Sequence, residues 1–107
     1  FYRDVLGLRL VSDLDMGGGK RWVVVEGGGG ARLLIAEAAD AAQRAAIGNQ
    51  TGGRVGFFME TDDFAADHKR LKAAGVTFLD EPRHEAYGSV AVFVDPFGNK
   101  WDLIEPK

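Results

Sequence analysis

Phe1-Tyr2-Arg3-Asp4-Val5-Leu6-Gly7-Leu8 stands at one end of the chain, and Asp95-Pro96-Phe97-Gly98-Asn99-Lys100-Trp101-Asp102-Leu103 lies near the other. The first reads as the end of a helix stopped at Gly7, where a residue without a Cβ can take the left-handed conformation. The second reads as a tight Asp-Pro-x-Gly turn feeding a last strand over Lys100-Trp101-Asp102-Leu103-Ile104.

Working inward from Gly7, Leu8-Arg9-Leu10-Val11-Ser12 alternates apolar and polar as a half-buried strand does. Met16-Gly17-Gly18-Gly19 is a turn, and Arg21 to Val25 is a β-branched and aromatic strand. Gly27 to Gly30 turns again before a third strand at Ala31 to Ile35, and the alanine-rich stretch Ala38 to Ala46 is suited to a helix. Working inward from Asp95, Ser89 to Val94 is a strand and Pro82 to Gly88 a turn-rich segment. Val76 to Leu79 is a strand that follows Gly75, and Gly75 stops a helix carrying Phe64, His68 and Leu71 on one face. Asp62 or Asp63 caps that helix, and Arg54 to Glu60 is the strand before it.

The two halves echo each other. Helix, glycine, apolar residue, strand and acidic residue run from Leu6-Gly7-Leu8 to Asp13 and again from Ala74-Gly75-Val76 to Asp80, so one supersecondary unit occurs twice. A single α+β domain over 1–107 is expected, with module one at 1–47, a flexible connection at 48–53 and module two at 54–107.

Composition narrows the function classes. The chain has 107 residues, a net charge of −3 and no cysteine. Its lysines and arginines are scattered, which argues against nucleic acid, since phosphate binding needs clustered cations. Disulfides, thiolate catalysis and cysteine-ligated zinc are excluded, and the composition fits a reducing cytoplasm. No apolar run approaches the roughly 20 residues that span a bilayer. No phosphate-loop or dinucleotide glycine pattern is present.

The first stretch resembles the FYxxxLG signature of the vicinal-oxygen-chelate superfamily, which includes glyoxalase I, bleomycin-resistance proteins and extradiol dioxygenases. Asp95 to Asn99 with Trp101-Asp102-Leu103 is similar to that superfamily's C-terminal DPxGNxxE element. Asp62-Asp63 and Ala74-Gly75-Val76 match around the second helix. The resemblance implies two βαβββ modules forming a curled, cup-shaped mixed sheet with helices outside, a small molecule bound in the cup and, commonly, a homodimer. It also implies that the first strand of module one is missing from the given chain, and that roughly ten to twenty residues precede Phe1.

The family's enzymes hold a divalent metal through His, Glu or Gln at matched places in the modules. One of those places lies in the leading strand of module one, which is not in this sequence; the other three fall on Leu33, Leu34 or Ile35, on Gly56, and on Asp102, which leaves Asp102 as the one plausible ligand among the visible places. Such sites want about three protein ligands, so no metal or other cofactor is expected.

Alternation down the strands assigns faces. Gly56, Phe58 and Glu60 share the side that the family turns toward its ligand, with Lys100, Asp102 and Ile104 of the last strand, while Trp101 and Leu103 pack under the helix. Phe58 reads as an aromatic wall or as filling. Glu60 and Asp102 read as an acid–base pair or as one solvated and one structural carboxylate. Trp22 has an open register. His84 reads as a ligand contact or an exposed loop histidine, and Arg54 as a partner for an anionic group or a strand-end charge.

The leading expectation is a metal-independent binder of an aromatic or amphipathic ligand. The alternatives are a metal-dependent glyoxalase-like lyase or dioxygenase with an atypical ligand set, and a metal-free acid–base isomerase or epimerase using Glu60 or Asp102.

Overall fold

A computed structural model describes residues 1–107. It is an α+β chain of seven strands and two helices, and it divides into two compact units, Phe1–Arg44 and Ala45–Lys107.

The first unit is a three-stranded antiparallel sheet in the order β1-β2-β3, built from β1 Arg9–Gly17, β2 Lys20–Glu26 and β3 Arg32–Ile35. Gly18 and Gly19, with φ of 62° and 79°, make the β1–β2 loop. Positive φ at both central residues gives a hairpin turn whose twist matches its strands, and it pairs Gly17 with Lys20 and Leu14 with Trp22. Trp22 therefore shares a face with Leu14 and, two residues along and one strand across, with Leu34. The expected helix over Phe1–Leu6 is a single turn, in which Val5 and Leu6 N–H both donate to the Phe1 carbonyl. Gly7, at φ 82°, ends it, and Leu6 is buried.

The helix read over Ala38–Ala46 is shorter, α1 Ala41–Ala46. Asp40 Oδ1 accepts from Gln43 N–H at 2.8 Å while the Gln43 side chain accepts from Ala39 N–H at 2.7 Å. This reciprocal capping satisfies otherwise orphaned donors and fixes the start of the helix after Asp40.

The second unit is a βαβββ module: β4 Phe57–Glu60, α2 Phe64–Ala73, β5 Arg83–Glu85, β6 Gly88–Val94 and β7 Lys100–Pro106, with sheet order β4-β7-β6-β5. β4 runs parallel to β7 and the other pairs are antiparallel. Asp63 caps α2, accepting from Ala66 N–H at 3.1 Å, and the Glu105 carboxylate takes the Phe64 N–H at 2.7 Å, tying the helix start to β7.

The core lies between α2 and one face of this sheet. Leu71, Phe93, Leu103 and Ala91 are fully buried, with Trp101 and Phe64 nearly so. Rings run through it in contact order Phe57, Trp101, Phe93, Phe78, His68 and Phe64, with centroids 4.4–5.9 Å apart. Trp101 is core, as its alternation with Asp102 requires. Its indole N–H donates to the Asp95 carboxylate at 3.2 Å, and the other Asp95 oxygen accepts from Phe97 and Asn99 N–H at 3.0 and 2.9 Å.

Two strand assignments change. The strand at Arg54–Glu60 begins only at Phe57 because Arg54 belongs to the preceding turn, its carbonyl accepting the Thr51 hydroxyl at 2.5 Å. Val76–Leu79 makes one bridge, Phe78 with Phe93, and the second strand of the module is Arg83–Glu85, inside the stretch read as turn-rich. Leu79 N–H bonds Val92 O, but the Val92 N–H is then taken by the Asp80 side chain at 2.8 Å. A carboxylate replaces the next backbone acceptor, Pro82 has no N–H to offer, and pairing with β6 resumes only at Arg83.

Candidate functional site

The sheet of the second unit has one face that α2 covers and one that it leaves uncovered. In the second unit, the pairings Phe58↔Asp102, Glu60↔Ile104, Val92↔Asp102 and Arg83↔Val90 put these residues on the face opposite α2. Phe58 is 65% exposed there although it sits on a strand paired to the core strand β7. An aromatic ring left this exposed on a paired strand contributes little to folding and is available to a flat apolar partner.

Asp102 lies beside Phe58 on one side and Val92 on the other. The residue is half-buried, and its Oδ1 is buried with no hydrogen-bond partner. Burial pushes its carboxyl above the ordinary value of 3.8; Arg83 opposes this and Asp80 adds to it. Arg83 is itself occupied, its Nε donating to Asp80 at 3.1 Å, and Lys100, two residues from Asp102 on the same face, donates to the Gly53 carbonyl at 2.9 Å.

The raised carboxyl has a sign that calorimetry reads. Unfolded Asp102 titrates near 3.8 and folded Asp102 higher, so the ionised form costs stability, and that cost vanishes below 3.8. The stability of the native protein relative to Asp102→Asn is expected to be lowest at neutral pH and to recover as the pH falls through the raised value. A melting-temperature gap between the two that does not change with pH would contradict this.

The other sequence candidates fall in different places. Glu60 is exposed on the Phe58 face. His84 is not in a loop but in β5. Its ring lies on the α2 side, edge-on to Phe64 at 6.3 Å, with Nδ1 2.9 Å from the Ser89 hydroxyl, so it does not share the Phe58 face. Arg54 is exposed in the turn before β4. Trp22, 42% exposed, is in the first unit with Leu14 and Leu34 on its face, all three half-exposed. Arg83 and Asp80 had no local signal: a Pro82-Arg83 dipeptide in a polar stretch does not announce a strand, and only the long-range bond to Val92 reveals it. The register of Trp22 did have one, since Gly18-Gly19 as a two-residue hairpin loop fixes it.

The donor set bears on the metal that the resemblance implies for enzymes. No three His, Cys, Asp or Glu side chains come together in this chain. Leu34 and Gly56 supply no ligating atom, and Asp102 is flanked by phenyl and isopropyl groups. The residues present do not fit a chelated divalent ion. No helix of the chain is long and apolar enough to cross a membrane.

Several known proteins are similar over nearly all of the chain. An uncharacterised protein of Shewanella frigidimarina (strain NCIMB 400) is 44% identical over 108 residues, covering 98% of this chain and 80% of the relative. The crystal structure of UcmS2 superposes with a TM-score of 0.80 at 27% identity, covering 97% of this chain and 84% of that one. TnmS3, an antibiotic binding protein from Streptomyces sp. CB03234, gives a TM-score of 0.76 at 30% identity, covering all of this chain and 82% of its own. The family model for the Glyoxalase/Bleomycin resistance protein/Dioxygenase superfamily matches residues 1–103, which carry both the Phe1–Leu8 and the Asp95–Leu103 elements, and the chain belongs to that superfamily.

Proposed function

We propose that the protein binds a small aromatic or amphipathic molecule without a metal, with the ring of Phe58 as the apolar contact and Asp102 as the polar one. The observation that carries this reading is Phe58 itself, two-thirds exposed on a β4 strand whose neighbouring residues are half-buried, beside a carboxyl with an unpartnered oxygen. Ligand sites combine such apolar walls with a few placed polar groups. The likeness to an antibiotic binding protein supports a small-molecule ligand, and the lack of a donor set supports metal independence. In this reading the protein sequesters its ligand. It acts as a homodimer in the cytoplasm and has no nucleic-acid or membrane partner, in keeping with its net charge of −3 and scattered cations.

Thermal-shift screening of aromatic compounds, followed by titration calorimetry of the hits, tests it, because a ligand that binds only the folded state raises the melting temperature. Phe58→Ala is expected to weaken binding about tenfold, the equivalent of about 1.4 kcal/mol of lost ring contact, with the fold intact. Unchanged affinity in that variant would remove Phe58 from the site.

Asp102 favours a second reading. A carboxyl that burial pushes above its usual range is suited to hold and return a proton, as a metal-free isomerase or epimerase needs. Turnover that survives a chelator and disappears in Asp102→Asn would establish it. Binding with no turnover over a panel of carbonyl, epoxide and catechol compounds would leave sequestration.

A further inference from the structure

The sheet of the first unit sorts its charges by face. The pairings Leu14↔Trp22, Val24↔Leu34, Arg9↔Glu26 and Glu26↔Arg32, with the alternation of Trp22, Val24 and Glu26 along β2, put these residues on one side. Asp13, Asp15 and Arg21 lie on the other, where the Arg21 guanidinium donates to both Asp13 oxygens. The first side is therefore an apolar stretch, with Leu14, Trp22 and Leu34 around the buried Val24, bordered by Arg9, Glu26 and Arg32. Both guanidiniums donate to the one Glu26 carboxylate. Arg9 above all holds that carboxyl below its ordinary value of 4.5, so it is ionised at neutral pH. One anion against two permanent cations leaves the border net positive, in a chain whose net charge is −3. Each guanidinium carries several N–H donors and gives Glu26 one bond. The two arginine side chains are 67% and 58% exposed, so their remaining donors are open to solvent.

Three half-exposed apolar side chains offer on the order of 300 Å² of surface, well under the roughly 800 Å² per partner that a stable protein interface buries. The occupant that fits is small. Trp22 suits a flat ring, and Arg32, two residues along β3 from Leu34 and so about 7 Å away, suits an acid group carried on that ring. We propose that this side of the sheet is a binding surface for a small fused-ring anion, with Leu14, Trp22 and Leu34 taking the ring and Arg9 and Arg32 taking the acid group. All of its residues belong to the first unit, so the inference does not rest on Phe58, and its failure would leave the Phe58 reading untouched.

The test titrates the isotope-labelled full-length protein with 2-naphthoate and with 2-naphthylmethylamine at neutral pH and low ionic strength, read by nuclear magnetic resonance. The chain has two tryptophans, Trp22 at 42% exposure and Trp101 at 4%, so the indole N–H signal of the first reports on this surface and that of the second is the internal control. 2-Naphthoate is expected to shift the Trp22 signal saturably and to bind there at least about fivefold more tightly than the amine, with the gap narrowing in high salt as exposed charges are screened. Arg9→Gln and Arg32→Gln, shown to be folded by their melting transitions, each leave one cation against Glu26 and are expected to bring the two probes within about twofold. A Trp22 signal that neither probe moves, equal binding of the two by the native protein, or a preference that survives in both arginine variants would overturn the proposal.

Discussion

Asp95→Ala is expected to lower the melting temperature more than any other single carboxylate substitution in the chain. Asp95 is 4% exposed, and its two oxygens serve three donors: the N–H groups of Phe97 and Asn99 and the indole N–H of Trp101. Alanine leaves all three without their acceptor. The loop N–H groups can turn to water, but Trp101 is itself 4% exposed and its indole nitrogen cannot. At about 1–3 kcal/mol for each buried group left unpaired, the loss is expected to be about 3 kcal/mol or more. For a domain of this size that corresponds to a fall of roughly 12 °C or more. Asp95→Asn keeps one oxygen for the two backbone donors and places an amide against the indole N–H, so it is expected to lose less. The check is a calorimetric or circular-dichroism melt of the three proteins. Equal melting temperatures would show that the turn does not depend on this carboxylate.

Gly48→Ala is the second large effect. Gly48 has φ 78°, and a Cβ added there would lie 2.1 Å from the Phe97 carbonyl oxygen and 3.1 Å from its carbon. The obstacle is backbone, held in the turn that Asp95 organises, so no side-chain rotation relieves it. The left-handed conformation alone costs an alanine about 1–2 kcal/mol, and overpacking typically adds about 1–3 kcal/mol. Urea denaturation is expected to show a lower midpoint with an unchanged slope, the mark of a native state strained without becoming less compact. Gly52, which also has positive φ but open space around it, provides the control. Gly52→Ala should lose only the conformational part, and equal losses at both positions would rule out the contact with Phe97.

The same turn shows how much the residues disclose. Asp-Pro-Phe-Gly-Asn announces itself because the bonds within the turn join residues no more than four apart, and the alternation that follows puts Trp101 and Leu103 into the core and Asp102 on the other face. Asp63 and Gly75 are legible for the same local reason. Phe58 follows from Gly56 by counting in twos. What escaped was set by contacts distant in sequence. Strand β5 exists because Asp80 takes the Val92 N–H twelve residues away, after which Arg83 regains register with β6. His84 lies on the α2 side because that register puts it opposite Ser89, and nothing in Pro82-Arg83-His84-Glu85 decides between the faces. The unpartnered oxygen of Asp102 is likewise a property of its neighbours, since it depends on where Arg83 and Lys100 spend their hydrogen bonds.

The central claim is that a small aromatic molecule binds against Phe58 and Asp102. Nuclear magnetic resonance titration of the labelled full-length protein with 2-naphthylmethylamine tests it most directly. The account predicts saturable shifts in the Phe58 ring, the Asp102 carboxyl and the Val92 methyls, with the core rings of Phe93 and Trp101 little changed. Saturable binding whose shifts leave Phe58, Val92 and Asp102 untouched would contradict it.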